Sequence, residues 1–208
     1  GRGERMKSLT DNTPKPLLQL NNKPLLEYTF EALPDTVTEV ILVIGYLGNK
    51  IKEYCDLRQH VRQGLDIGGN LARSPSDAFR DFKITYVEQN DPKGTFNALK
   101  LAEPLLDEEF LVMPSDDLYT KDDIEKLIYF KNAILVKQLK NQPEKFGHCI
   151  VKNDLLIDLI EKPEDILNPL ACCGPIKLTR EIFNEPIVYG PKKEEVLSPM
   201  VGQMAKRI

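Results

Sequence analysis

The run Glu39-Val40-Ile41-Leu42-Val43-Ile44 is apolar after its first residue and rich in β-branched side chains. Such a segment suits a strand covered on both faces, the habit of parallel sheets rather than of half-solvated hairpins. Phe82 to Val87 and Phe110 to Met113 read as two more strands. Helical patterns lie around them. Leu25, Leu26, Tyr28, Thr29, Phe30 and Leu33 recur at near-helical spacing behind Pro24, which suits a first helical position. Further helices are expected over about 49–57 and 95–106. Another follows Thr120, an N-cap with Asp122, Asp123 and Glu125 in the first turn, where the macrodipole favours negative charge. Alternating strands and helices imply an α/β sandwich around a mainly parallel sheet.

Four more strands are expected, over about 133–139, 147–152, 156–161 and 172–178. The middle two form a hairpin turned at Asn153-Asp154. A short helix from Arg180 and a final helix over about 192–207 complete the chain. Periodicity fails from Asp56 to Arg80, where Gly64, Gly68, Gly69 and the Ser74-Pro75-Ser76 turn read as a long surface excursion.

The 208 residues, 41% hydrophobic and 29% charged, suit one globular domain with a real core. A net charge of −4 supplies no global basic field for nucleic acid. No stretch approaches the ~18 apolar residues of a membrane span, and no secretory signal pattern is present. Cys55, Cys149, Cys172 and Cys173 show no metal-ligand spacing, and His60 and His148 stand apart. The cysteines are expected as buried thiols in a reducing cytoplasm.

In a parallel sheet, ligands gather outside the carboxyl ends of the strands. That rule selects the opening loop, Gln89 to Thr95, and Ser115 to Leu118. In the opening loop, Gly1 and Gly3 can bring backbone N–H groups close to a phosphate. Arg5, Lys7 and Lys15, with the rigid Pro14-Lys15-Pro16 corner, add positive charge. The loop fits neither common phosphate fingerprint, and a terminal Gly-Arg-Gly by itself more often means a solvated chain end. Asp116-Asp117 after a strand is a natural Mg²⁺ site, although aspartate also commonly caps turns. The Gln89 amide can both donate to and accept from a base edge, and Gly94 allows close approach; an ordinary loop is the plainer reading of either alone. Glu161-Lys162-Pro163 could hold a sugar hydroxyl and a phosphate, or be a surface ion pair of little worth.

Taken in order, these pieces resemble the sugar-1-phosphate nucleotidyltransferases, or NDP-sugar pyrophosphorylases. Their opening reads approximately G-x-G-T-R-L-x-P-L-T-x-x-x-P-K-P-L. Here it is met by Gly1, Gly3, Arg5, Leu9, Thr10, Pro14, Lys15, Pro16 and Leu17, then by Lys23, Pro24, Leu25 and Tyr28. The resemblance covers essentially the whole chain. It implies a Rossmann-like three-layer sandwich with a mainly parallel, mixed sheet. It also implies the reaction NTP + sugar-1-phosphate ⇌ NDP-sugar + pyrophosphate, with Mg²⁺ as cofactor and no nucleic acid or membrane partner. Homo-oligomers are common in the family.

By the same resemblance, Gly1 and Gly3 cradle phosphates, Arg5 meets the departing pyrophosphate and Lys15 the α-phosphate. Gln89 and Gly94, with Thr95, face the base; Asp116 holds Mg²⁺; Gly147, Glu161 and Lys162 meet the sugar phosphate. Thr95, where thymidylyltransferase-like members tend to have leucine, tilts the expectation from dTTP toward UTP. Departures are Glu4 for threonine or serine, Ser8 for proline, and Pro114-Ser115 where a glycine is usual. With them comes the alternative of a non-catalytic NDP-sugar-binding regulatory homologue; a cytidylyl transferase acting on a non-sugar alcohol phosphate fits Glu161-Lys162-Pro163 less well. The family loop normally follows a buried strand, and a later segment supplies a second metal aspartate. Residues 1–208 are therefore expected as one nucleotidyltransferase domain lacking its first strand and C-terminal part, weakly active or inactive by itself.

Overall fold

The computed structural model describes residues 8–62, 79–139, 146–162 and 170–207. It separates into two compact units, Gly1–Asp91 with Pro114–Glu125, and Pro92–Met113 with Lys126–Ile208.

In the first unit, β1 (Gln19–Leu20) and β2 (Lys23–Pro24) form a small antiparallel pair. Their turn places Asn21 and Asn22 in the left-handed region, at φ 51° and 61°, a conformation asparagine tolerates. Helix α1 (Leu25–Glu31) follows, then β3 (Glu39–Ile44), α2 (Gly48–Arg62) and β4 (Lys83–Glu88). β3 and β4 pair in parallel, from Glu39 opposite Lys83 to Ile44 opposite Glu88. The core holds Leu26, Phe30, Cys55, Phe79, Phe82 and Ile124, with the Phe79 ring edge-on to Phe30 at 4.8 Å. Glu27, 1% exposed, joins α1 to α2. It pairs with the Arg58 guanidinium at 3.0 Å and accepts a hydrogen bond from the Tyr54 hydroxyl. Burial, then the Glu27 partner, pushes the Tyr54 phenol up.

Helix α2 runs five residues beyond the expected end at Leu57, taking the first part of the expected excursion. Arg58, Gln59, His60 and Arg62 break the apolar periodicity, but tertiary bonds hold this turn: Arg58 through Glu27 and Gln59 Nε2 to the Phe82 carbonyl at 2.9 Å. The remainder of that excursion, residues 63–78, lies outside the described residues.

The second unit contains α3 (Thr95–Ala102), β5 (Glu109–Val112), β6 (Ala133–Gln138), β7 (Gly147–Lys152), β8 (Leu155–Glu161) and β9 (Leu170–Thr179). Helix α4 (Lys121–Ile128) lies between β5 and β6 in sequence, and α5 (Leu197–Ala205) closes the chain. Thr120 caps α4 as expected: its hydroxyl oxygen accepts from the Asp123 N–H at 3.2 Å. β9 pairs antiparallel with β5, β6 and β7, and β7 with β8. The α/β class and mixed pairing agree with expectation, but the parallel share among the described residues is the β3–β4 pair. β7 and β8, adjacent in sequence, pair antiparallel across a short connection. The β7–β8 turn is at Asn153 and Asp154, both left-handed at φ 51° and 61°, which matches the twist of a two-residue hairpin.

α3 ends at Ala102 rather than near Leu106, giving way to a 3₁₀ turn at Glu103–Leu105, because Pro104 has no N–H to continue the ladder. The segment after Arg180 is likewise a short 3₁₀ helix, Arg180–Asn184. α5 starts at Leu197, five residues later than expected. Lys193 is left-handed at φ 61°, and the Gly190 N–H donates to the Glu194 carbonyl at 2.8 Å, so 190–194 is a turn. Phe96, Leu159, Leu178, Ile182 and Met200 centre this unit's core.

The four cysteines are free, Cys55 and Cys149 buried and the other two half-buried. Burial pushes Cys55 and Cys149 up to about 12 and Cys172 up to about 11. Among the described residues, no helix is long and apolar enough to cross a membrane.

Candidate active site

Lys15 sits on a corner built by its neighbours. Pro14, at φ −64° and ψ 143°, leads into the one-turn 3₁₀ helix Lys15–Leu17, with Pro16 behind Lys15. Leu17 N–H donates to the Pro14 carbonyl at 2.8 Å and Leu18 N–H to the Lys15 carbonyl at 3.1 Å. Flanking prolines leave this backbone few alternatives. The loop before it is fastened by the Tyr46 hydroxyl on the Asp11 carbonyl at 3.0 Å and by Lys50 Nζ on the Asn12 carbonyl at 2.6 Å.

From this corner Lys15 Nζ reaches Asp116 Oδ2 at 2.5 Å, across 101 positions of sequence. The two side chains are 34% and 33% exposed, so both are open to a ligand from solvent. Asp117 adjoins them, its Oδ2 accepting from the Tyr119 hydroxyl at 3.5 Å. Packing around its carboxyl, then the Asp116 charge, holds Asp117 above the ordinary carboxylate range. Among the described residues, no three or more His, Cys, Asp or Glu side chains are grouped to hold a metal alone. Two adjacent carboxylates fit a hard divalent cation that completes its shell with substrate phosphate and water.

Gln89 belongs to the same unit. Its N–H donates to the Ile44 carbonyl at 2.7 Å, and a Cβ placed on Gly45 would stand 3.1 Å from its carbonyl. Gln89 thus marks the carboxyl end of the parallel pair, the ligand side of such a sheet. Gly1, Gly3 and Arg5 lie outside the described residues.

In the second unit, Gly94 precedes α3 at φ 114°, and a Cβ there would fall 2.2 Å from the Glu195 carbonyl oxygen. Glu195 clamps the loop. Its N–H donates to the Lys93 carbonyl at 2.6 Å, and its own carbonyl accepts from Phe96 N–H at 3.0 Å. Thr95 Oγ1 accepts from Leu197 N–H at 3.0 Å. Gly94 and Thr95, expected at a base, therefore also have work inside the protein: one makes room for Glu195 and the other fixes the start of α5. Sequence reasoning missed Glu195, because a backbone contact across about a hundred positions leaves no local pattern.

Gly147, Glu161 and Lys162 come together. Gly147 stands opposite Glu161 on the β7–β8 ladder, and a Cβ there would lie 3.3 Å from Glu161 Oε2. Leu159 Cδ1 would be equally near at 3.3 Å, so the glycine lets the strand pack closely against the carboxylate. Lys162, left-handed at φ 45°, turns back so that Nζ lies 3.0 Å from Glu161 Oε1. The hairpin thus puts a carboxylate and an ammonium at one end, beside a buried glycine.

The profile of the family described as nucleotidyl transferase matches residues 1–191. The chain is 33% identical to the bifunctional protein GlmU of Methanocaldococcus jannaschii over 184 residues, 88% of this chain and 39% of that protein. It is 31% identical to the D-glycero-alpha-D-manno-heptose 1-phosphate guanylyltransferase of Campylobacter jejuni over 191 residues, 89% of this chain and 75% of that one. A UDP-glucose pyrophosphorylase crystallised with UDP-glucose superposes with a TM-score of 0.80 at 23% identity, covering 100% of this chain and 84% of that structure. The chain spans 39% of the length of the GlmU proteins of Methanocaldococcus jannaschii and Methanococcus maripaludis.

Proposed function

The chain belongs to the nucleotidyl transferase family, and we propose that it moves a nucleotidyl group from an NTP to a sugar-1-phosphate. The products are an NDP-sugar and pyrophosphate. The observation that carries this reading is the meeting of Lys15 and Asp116 at 2.5 Å: a fixed cation beside a carboxylate with a second carboxylate next in sequence.

A sugar-phosphate oxygen attacks the α-phosphorus in line, forming one P–O bond while the bond to the β-phosphate bridging oxygen breaks. The attacking oxygen is already anionic, so no general base is required. Alignment of two anions and neutralisation of the five-coordinate phosphorus carry the rate. Lys15 meets the non-bridging oxygens of the α-phosphate, and the Pro-Lys-Pro corner holds it there without a backbone search. The family resemblance assigns Arg5 to the departing pyrophosphate, and Gly1 and Gly3 to the triphosphate. Asp116, with Asp117 beside it, would hold Mg²⁺, which when bound would neutralise phosphate charge.

The family resemblance assigns Gln89, Gly94 and Thr95 to the base. Thr95 favours UTP over dTTP, and the 28% identical UTP–glucose-1-phosphate uridylyltransferase AglF of Haloferax volcanii supports a uridine nucleotide. Glu161 accepts from a sugar hydroxyl and Lys162 donates to the sugar phosphate, with Gly147 beside Glu161 assigned to the same sugar phosphate. Pyrophosphate release across a matrix of NTPs and sugar-1-phosphates tests the reading on the full-length protein. UTP should give the highest rate, and Lys15→Ala and Asp116→Ala should each lower turnover on the order of 10²–10³-fold. A matrix without activity, or two variants as fast as the parent, overturns it.

A further inference from the structure

Lys15 and Asp116 have opposite tasks in the proposed reaction, one toward an anion and the other toward a cation. In the structure they satisfy each other. The ammonium lies 2.5 Å from the carboxylate, close enough for a charge-assisted hydrogen bond, and the prolines around Lys15 fix the backbone from which it reaches. A cation approaching Asp116 meets a carboxylate already neutralised. A phosphate approaching Lys15 meets an ammonium already neutralised.

We propose that the Lys15–Asp116 pair is a latch: metal and nucleotide each bind weakly alone, and the metal–nucleotide complex binds cooperatively because it supplies new partners to both residues together. This inference rests on the assignment of Asp116 to the metal and Lys15 to the phosphate. Its physical basis is competition. A lone ligand must break the pair and leave one charge without its partner, whereas the complex exchanges one ion pair for two. Coupling of this kind is reciprocal, so metal strengthens nucleotide binding by the factor by which nucleotide strengthens metal binding. The pair is about one-third exposed on each side, so solvent screens it and the latch is modest, about fivefold.

Direct binding tests it without turnover. Free Mn²⁺, a paramagnetic stand-in for Mg²⁺, is titrated by electron paramagnetic resonance with no nucleotide present. UTP in excess EDTA is titrated by calorimetry. The full-length parent, Lys15→Met, Lys15→Gln, Asp116→Asn and Lys15→Met/Asp116→Asn are compared, with circular dichroism confirming each fold. Both Lys15 variants should tighten Mn²⁺ alone about fivefold, and both should weaken the Mn²⁺–UTP complex. If they leave Mn²⁺ affinity unchanged or lower it, while Asp116→Asn in the Lys15→Met background still abolishes Mn²⁺ binding, the latch is wrong and the metal assignment survives. If Asp116→Asn does not alter Mn²⁺ affinity in that background, the assignment of Asp116 to the metal falls, and the latch with it.

Discussion

Two lysine–carboxylate pairs, one in each unit, share chemistry and differ in construction. Glu161 and Lys162 are neighbours in sequence at the end of a hairpin, 3.0 Å apart, with the lysine side chain 50% exposed. Lys15 and Asp116 come from segments 101 positions apart and meet at 2.5 Å. The first pair needs one hairpin turn and a left-handed lysine; the second needs the loop from Asp11, the Pro-Lys-Pro corner and the turn at Ser115–Asp117 all in place. A local pair can form whenever its hairpin forms. A distant pair reports that its whole unit is folded, which suits groups whose alignment sets a rate.

Within the second unit, two glycines are used differently, and this gives the sharpest way to separate fold from binding. At Gly94 a methyl group meets backbone at 2.2 Å, and φ is 114°. Gly94→Ala should therefore lower unfolding free energy by about 2–3 kcal/mol, the scale of a strained backbone position, read by urea denaturation. At Gly147 the nearest atoms are side-chain ones, a Glu161 carboxylate oxygen and Leu159 Cδ1, each at 3.3 Å, so Gly147→Ala should cost clearly less than Gly94→Ala. Equal losses at the two positions would erase the distinction.

Next in size is the loss of a charged sugar-phosphate contact. Lys162→Ala should raise KM for the sugar-1-phosphate about tenfold, as expected for a hydrogen bond to a charged group, with KM for the NTP unchanged. Stability should hold as well, because a half-exposed ion pair is worth little. A rise in the NTP constant instead would move Lys162 out of the sugar-phosphate role.

The smallest effect concerns Asp117. Its carboxyl is held above the ordinary value of 3.8 by burial and by Asp116. The folded state then binds the proton more tightly than the unfolded state. Stability from this group is fully present below pH 3.8 and is lost as pH rises through the folded value. At pH 7 the ionised carboxylate is unfavourable, so Asp117→Asn should stabilise by a few tenths of a kcal/mol, scaled down for solvent screening. The gain should vanish near pH 3. A thermal-melting series against pH, with the gain absent or reversed at neutrality, would contradict the assigned environment.

Much of the scaffold was legible in the sequence, because the relevant physics is short-ranged. Apolar runs marked β3, β4 and β5, the Asn153-Asp154 turn marked the β7–β8 hairpin, and Thr120 marked the start of α4. Periodicity failed where tertiary bonds replaced it: Arg58 and Gln59 carry α2 past its apolar pattern, and the 190–194 turn delays α5. Strand partners were not legible either. β5 pairs antiparallel with β9, some seventy positions later in register with Thr179, and no local composition encodes that choice.

The sequence by itself determined which chemistry was available: the Pro14-Lys15-Pro16 corner, Asp116-Asp117 after a strand, and Glu161-Lys162 at the end of another. Tertiary structure alone decided which of these groups touch. It joined Lys15 to Asp116, and it set Glu195 against Gly94, so that a glycine expected only at a ligand is also required by the fold. The reason is range: turn and strand preferences act over a few residues, whereas an ion pair or a backbone clamp between segments a hundred positions apart exists only after the chain has packed.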